Sequence, residues 1–312
     1  MKIIYYNAFD PKDHGALFQQ AITPRIPAAE VRLWHEGDDG PADYALVWKP
    51  PIQMLAGRNA LKAIFNLGAG VDAIMKQSDQ IPAHVPIIRL EDAGMGEQMA
   101  DYVSHAALEY YRHFDQYRQQ AAKISWQPKW PDKKSDFAIA VLGLGVLGRV
   151  IVERLQLLNF PVLGWSRTQK NLHGVACYSG ADGLKTCLSK ARAVVNILPL
   201  TDATRDILNA ESLSHLPKGA FLINVGRGAH LVEQDLLALL QNGHIAAATL
   251  DVFQTEPLPQ NHPFWKQPNL TITPHISAQT LLDDGNAQIA EKLHRLEQGL
   301  PVTGVIDRNE GY

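Results

Sequence analysis

Cysteine is almost absent: Cys177 and Cys187 are the only two among 312 residues. Two thiols cannot build a disulfide framework, and they show no zinc-type spacing with histidines, so reduced thiols in a cytoplasmic protein are expected. Long apolar runs are missing as well. No segment reaches the ~20 apolar residues of a membrane helix, and the most apolar stretch, Phe137–Val152, is interrupted by three glycines. An excess of one charge is also lacking. The 29 basic and 32 acidic side chains give a net charge of −3, with no run of one sign to attract nucleic acid or an anionic membrane. Low-complexity segments and short repeats are absent, and Met1–Tyr6 reads as a strand rather than a signal peptide. What is present is a chain 46% hydrophobic, long enough for about two packed domains, whose expected partner is a small molecule.

Short apolar runs punctuate the first hundred residues. Lys2–Tyr6, Glu30–Trp34, Tyr44–Trp48, Ala63–Leu67 and Pro86–Leu90 are rich in Val, Ile, Leu and aromatics between turn residues, and read as strands of a small α/β unit. From Gly96 to about Ala122 the pattern turns helical, with Met99, Val103, Ala106, Ala107 and Tyr110 near a 3.6-residue period. Ser125–Lys134 carries Trp126, Pro128, Trp130 and Pro131, a non-helical arm whose tryptophans serve an interface or lie half-buried under the loop. A second βα series follows, with strands over Phe137–Leu142, Pro161–Ser166, Ala193–Leu198, Ala220–Val225, Ile245–Leu250 and Leu270–Thr273. Helical stretches such as Leu147–Leu158 and Gln234–Asn242 separate most of them, which predicts a parallel sheet covered on both faces. Ser277–Gly299 reads as a long amphipathic helix that returns to the first domain.

In Leu142-Gly143-Leu144-Gly145-Val146-Leu147-Gly148 an apolar strand feeds a glycine turn and then a helix. Gly143 permits the tight turn, Gly145 lets backbone approach a pyrophosphate, and Gly148 allows close helix–strand packing. The amides of the helix N-terminus then face the phosphates. About 20 residues on, a dinucleotide fold normally places an acid for the ribose hydroxyls. Here Ser166-Arg167-Thr168 stands instead. Without a carboxylate a 2′-phosphate is not repelled, and a guanidinium can grip it. NADPH is therefore the expected cofactor, with NADH as a weaker alternative.

Three later strands end on reactive side chains: Arg227 after Ala220–Val225, Glu256 after Ile245–Leu250, and His275 after Leu270–Thr273. The carboxyl ends of a doubly wound sheet face the ligand crevice, so topology gathers all three. Arg227 can grip a carboxylate and a carbonyl oxygen gaining charge. His275 can protonate that oxygen, and Glu256 can fix the imidazole tautomer. Asp251 either touches the nicotinamide carboxamide or is a structural carboxylate bonded to loop amides. The other eleven histidines show no metal-ligand spacing and are expected to be mostly solvated; no metal is expected.

These motifs, with Leu198-Pro199-Leu200-Thr201 and Thr204, Asn224-Val225-Gly226-Arg227-Gly228, Leu250-Asp251-Val252-Phe253, Glu256-Pro257-Leu258-Pro259 and Thr273-Pro274-His275-Ile276, resemble the D-isomer-specific 2-hydroxyacid dehydrogenase family over about residues 60–280. Leu46–Pro51, Leu67–Asp72, Arg89–Asp92, Gly94–Met99 and Gly311-Tyr312 are similar to its bacterial reductases of glyoxylate and hydroxypyruvate, nearly end to end. The resemblance implies NADPH-dependent reduction of these acids to glycolate and glycerate, with Arg227, Glu256 and His275 as the catalytic set. It implies that backbone amides of Ala69, Gly70 and Val71 hold the substrate carboxylate. Met95, Gly143, Gly145, Val146, Leu147, Gly148, Ser166, Arg167, Thr168, Leu198, Pro199, Leu200, Thr204, Val225 and Asp251 are then the cofactor contacts. Trp48 and Met95 line the substrate pocket and nicotinamide wall, or equally pack in the core. A Rossmann-type domain, 101–277, would be inserted into a smaller flavodoxin-like substrate domain, 1–100 with 278–312, in a homodimer. Gly226 stands where the family commonly has Ala; both are small. The rivals are a family enzyme for another 2-oxo acid and a dinucleotide-sensing interaction protein.

Overall fold

The computed structural model describes residues 1–8 and 14–312, which form two compact units, Met1–Met95 with Gln279–Tyr312, and Gly96–Ala278. In the first unit the chain runs through β1 (Lys2–Asn7), α1 (His14–Ile22), β2 (Glu30–Leu33), β3 (Tyr44–Trp48), β4 (Ala63–Asn66), α2 (Asp72–Met75) and β5 (Ile87–Arg89). The strands pair in parallel in the order β2-β1-β3-β4-β5, the flavodoxin-like arrangement. Tyr44 to Val47 and all of β4 are buried. That is why these strands read as unbroken apolar runs rather than alternating ones.

The second unit takes α3 (Met95–Tyr111), α4 (Phe114–Ala122), β6 (Ile139–Leu142), α5 (Val146–Leu157), β7 (Val162–Ser166), β8 (Ala176–Ser179), α6 (Gly180–Ser189), β9 (Ala193–Asn196), α7 (Ala210–Ser214), β10 (Ala220–Asn224), α8 (Glu233–Gln241), β11 (Ile245–Leu250) and β12 (Leu270–Ile272). Its seven strands are all parallel, in the order β12-β11-β10-β9-β6-β7-β8. Counted from β6 this is 3-2-1-4-5-6 with one further edge strand, a Rossmann sheet. The apolar face of α3 packs on it: Tyr110 stacks on Phe221 with ring centroids 4.5 Å apart, and its hydroxyl meets Thr249 Oγ1 at 2.7 Å.

The chain then returns to the first unit through α9 (Leu282–Glu297), which packs beside α1. Tyr44 donates to Glu297 Oε1 at 2.7 Å and Lys62 Nζ does so at 2.8 Å. The Lys62 and Tyr44 hydrogen bonds hold the Glu297 carboxyl below the usual range. Lys292, also on α9, is 6% exposed and spends its charge on Arg89 O and Glu91.

Three elements differ from the sequence reading. The helical stretch 96–122 is two helices, broken where His113 takes a left-handed backbone with φ +58°. β8, Ala-Cys-Tyr-Ser, is a short edge strand with no fully buried residue, so it carries no apolar run to mark it. The last helix begins at Leu282 rather than Ser277, because Ser277 is held by a loop carboxylate described below.

Candidate active site

Parallel pairing brings the carboxyl ends of β6, β7, β9, β10, β11 and β12 to one edge of the second sheet, and strand order reverses between β6 and β9. Ligand crevices form at such a reversal. β6 turns at Gly143, where φ is +112° and a Cβ would lie 2.8 Å from Ile197 O. At Gly148 a Cβ would lie 1.8 Å from Gly143 O, so only hydrogen lets α5 sit against the turn. Nothing lies within 4 Å of a Cβ built at Gly145. This open space adjoins the first-turn amides of Val146, Leu147 and Gly148, which a helix leaves without intrahelical acceptors. A pyrophosphate fits there. At the end of β7, Ser166 is buried and donates to Thr168 O at 2.9 Å, while Arg167 and Thr168 are exposed. Ser166-Arg167-Thr168 itself contains no acidic residue. After β9, Leu198 is buried, Pro199 and Leu200 are half-buried, and Thr204 donates to Pro199 O at 2.7 Å to fix that turn. Val225, after β10, is buried.

The three reactive side chains lie on the last three strand ends. His275 Nδ1 and Glu256 Oε2 are 2.8 Å apart, and the other Glu256 oxygen accepts the Phe253 N–H at 3.1 Å. The carboxylate is thus aimed by backbone, and it leaves Nε2 as the free-facing nitrogen of the imidazole. His275 itself is left-handed, with φ +56°. Arg227 follows β10, with Nη1 donating to Gly226 O at 2.7 Å. A Cβ at Gly228 would lie 1.8 Å from the Phe253 carbonyl carbon. The absence of that atom is what lets the Arg227 loop touch the loop carrying Glu256.

Asp251 is bonded to loop amides. It is fully buried, accepting from Thr273 Oγ1 at 2.6 Å, Ile276 N at 2.8 Å and Ser277 N at 2.8 Å. Since Thr273 gives its only hydroxyl proton to Asp251, the Tyr102 hydroxyl must donate to Thr273 Oγ1. Burial pushes the Tyr102 phenol up to about 12, so it keeps that proton at neutral pH. The chain Tyr102–Thr273–Asp251 clamps the segment that delivers His275.

In the first unit, Trp48 ends β3 and lies across Gly68, where a Cβ would approach its ring to 2.5 Å. Asn66, 2% exposed at the end of β4, donates to Gly68 O at 2.8 Å and Gly70 O at 3.0 Å. These bonds turn carbonyls of the 68–71 loop inward. Ala69 and Gly70 are half-buried and Val71 buried. Met95 is 7% exposed, with Sδ 3.6 Å from Thr280 Oγ1.

Asn66, Asn196, Asn224 and His230 were not singled out from sequence. The asparagines had a signal: each closes a buried run, in Ala-Ile-Phe-Asn, Ala-Val-Val-Asn and Phe-Leu-Ile-Asn. A polar residue at the carboxyl end of a core strand needs partners there. His230 is an exception to the expectation of mostly solvated histidines: it is fully buried, with partners at Arg227 N and on residues 31 and 34 positions away. Gly226 is likewise less neutral than its size suggests. A Cβ there would sit 2.9 Å from Asn196 Nδ2 and 3.0 Å from His230 Nδ1.

A parallel doubly wound sheet with a glycine-walled phosphate turn at its reversal, and an Arg and a Glu–His pair on neighbouring strand ends, defines a dinucleotide-dependent dehydrogenase. The family model for the D-isomer specific 2-hydroxyacid dehydrogenase NAD binding domain matches residues 104–277. The glyoxylate/hydroxypyruvate reductase A of Serratia proteamaculans is 47% identical, with both chains covered in full. A D-isomer specific 2-hydroxyacid dehydrogenase from Xanthobacter autotrophicus Py2, solved with NADPH and MES, superposes with a TM-score of 0.93 at 39% identity, over 100% of this chain and 99% of that one. The NADPH-dependent glyoxylate/hydroxypyruvate reductase of Sinorhizobium meliloti, solved with NADP and sulfate, gives 0.90 at 32% identity over the same shares. The chain belongs to the D-isomer-specific 2-hydroxyacid dehydrogenase family.

Proposed function

We propose that this chain reduces glyoxylate and hydroxypyruvate to glycolate and glycerate with NADPH, and that Arg227, Glu256 and His275 carry the reaction. The observation that supports it most directly is the 2.8 Å pair of His275 Nδ1 and Glu256 on the strand end next to Arg227. When bound, NADPH supplies the hydride that reaches the carbonyl carbon. Arg227 grips the carboxylate and stabilises the carbonyl oxygen as charge grows on it. His275 delivers a proton from Nε2 to that oxygen, and Glu256 holds Nδ1–H and stabilises the imidazolium before transfer. At 40% side-chain exposure, His275 regains its proton from water.

The phosphate turn Gly143–Gly148 seats the pyrophosphate, and Ser166, Arg167 and Thr168 take the 2′-phosphate. Leu198, Pro199, Leu200, Thr204, Val225 and Met95 form the remaining cofactor surface, with Asp251 holding it from behind. The amides of Ala69, Gly70 and Val71 hold the substrate carboxylate, and Trp48 bounds the substrate. Residues 101–277 act as the nucleotide domain and the flanking pieces as the substrate domain.

The working form is a cytoplasmic homodimer. Free thiols at Cys177 and Cys187 fit a reducing compartment. Ile124, Trp126 and Trp130 on the arm are 99%, 95% and 92% exposed, apolar surface that a second copy would cover. Among the described residues no helix is long and apolar enough to cross a membrane.

The test is steady-state kinetics with glyoxylate and hydroxypyruvate, each with NADPH and NADH. Turnover of both acids with NADPH preferred is expected. Equal use of NADH would remove the role given to Ser166-Arg167-Thr168, and turnover confined to a larger 2-oxo acid would replace the substrate.

A further inference from the structure

His230 sits three residues beyond Arg227, at the end of the short 3-10 turn Gly228–His230. Its imidazole is fully buried. Nδ1 accepts from the Arg227 backbone N–H at 3.1 Å and faces Asn196 Nδ2 at 2.9 Å. Nε2 faces Pro199 O at 3.2 Å. The donor and acceptor inventory leaves one arrangement. A carbonyl can only accept, so Nε2 carries the proton; a backbone N–H and an amide NH₂ can only donate, so Nδ1 is bare. Asn196 spends its other amide hydrogen on Asn224 Oδ1 at 2.9 Å, and Asn224 Nδ2 in turn donates to Arg227 O at 3.3 Å. The His230 N–H reaches the same carbonyl at 3.2 Å. Both backbone polar groups of Arg227 are therefore held by this buried set of side chains and by the turn it stabilises.

We propose that His230, as the neutral Nε2–H tautomer, is the positioning residue that fixes Arg227 against the substrate. It brackets two loops: one ring nitrogen holds the backbone from which the guanidinium projects, and the other holds the Pro199 carbonyl of the turn closed by Thr204. The side chains of the set, Asn196, Asn224 and His230, are fully buried. Their effect reaches the reaction through the direction in which Arg227 leaves the end of β10. The proposal rests on the role given to Arg227 above.

Three variants separate the possibilities: Arg227→Ala, His230→Leu and His230→Asn, each measured for kcat and KM with glyoxylate and for NADPH affinity by fluorescence titration. His230→Leu keeps volume but strands the Arg227 and Asn196 donors. A buried donor without a partner is costly, and the resulting displacement of Arg227 is expected to lower kcat/KM by about 10-fold or more, chiefly through KM. His230→Asn loses the Pro199 arm just as His230→Leu does, but its amide oxygen can stand where Nδ1 stood. It is expected to restore kcat/KM to within about threefold of the parent, while NADPH affinity is the same in both variants. Equal kcat/KM in His230→Leu and His230→Asn, a His230→Leu enzyme like the parent, or a loss of NADPH affinity that matches the loss of kcat/KM would each overturn the proposal. If Arg227→Ala leaves kcat and KM unchanged, the role of Arg227 itself falls, an outcome distinct from any of these. A melting temperature for each variant identifies unfolding, and in that case His230→Gln, which retains a donor toward Pro199 but shifts the acceptor, replaces His230→Leu in the same comparison.

Discussion

The two units present their strand ends in different ways. In the seven-stranded sheet the functional loops are held by fully buried polar side chains: Asn196, Asn224, His230 and Asp251 all have no exposure. In the five-stranded sheet one buried side chain, Asn66, organises the 68–71 loop, and the ring of Trp48 fills the space that Gly68 leaves. The difference follows from what each edge has to offer. The second unit must aim side chains, an imidazole and a guanidinium, each with rotatable bonds, so both backbone and partner carboxylate are fixed. In the proposed reading the first unit offers backbone amides, whose directions are set once their neighbouring carbonyls are turned away.

That contrast is tested first where the effect is largest. His275→Ala should lower kcat by about 10²–10⁴-fold, the usual worth of a general acid, with little change in NADPH affinity; a loss under about threefold in steady-state turnover would remove His275 from that role. Next, Arg167→Ala should raise the KM for NADPH by about 10-fold, the scale of one charge-assisted bidentate contact, and leave that for NADH nearly unchanged. If both rise together, Arg167 holds the loop rather than a phosphate. Asn66→Ala should raise the KM for the oxo acid by roughly 5-fold through loss of two hydrogen bonds to the loop, without moving the NADPH dissociation constant. A larger effect than that of His230→Leu would invert the ranking of the two edges.

The smallest effect lies away from the site. Lys62 and Tyr44 hold the Glu297 carboxyl below its unfolded value, so its contribution to stability is complete above the unfolded pKa and is lost as pH falls through the folded one. Glu297 is 36% exposed, which limits the contribution to under about 1 kcal/mol. Melting curves should therefore show Glu297→Gln slightly less stable than the parent at neutral pH, the gap closing below about pH 4. A gap independent of pH would mean that packing, not charge, is lost.

Most of both sheets was legible because strands buried on two faces leave continuous apolar runs, as in Ile139–Leu142 and Ala193–Asn196. β8 was not, since an edge strand of Ala, Cys, Tyr and Ser buries too little to leave a trace. The helix break at His113 was also hidden: a single left-handed residue changes the chain's direction without interrupting its composition. Arg227, Glu256 and His275 stood out as reactive types following apolar strands. His230 did not, because nothing local distinguishes a buried histidine from a solvated one. Its side-chain and carbonyl partners beyond the local Arg227 amide, Asn196 and Pro199, lie 34 and 31 residues away.

The sequence by itself determined the parallel βα order, the glycine turn at Gly143–Gly148 and the missing ribose acid at Ser166-Arg167, because each is written in contiguous residues. Only the tertiary structure decided that Asp251 is buried and bonded to loop amides, that Glu256 is aimed at His275 by the Phe253 amide, and that a hydrogen-bonded histidine stands behind Arg227. Hydrogen-bond satisfaction in a buried edge depends on which strand ends become neighbours, and that is fixed by sheet order rather than by distance along the chain.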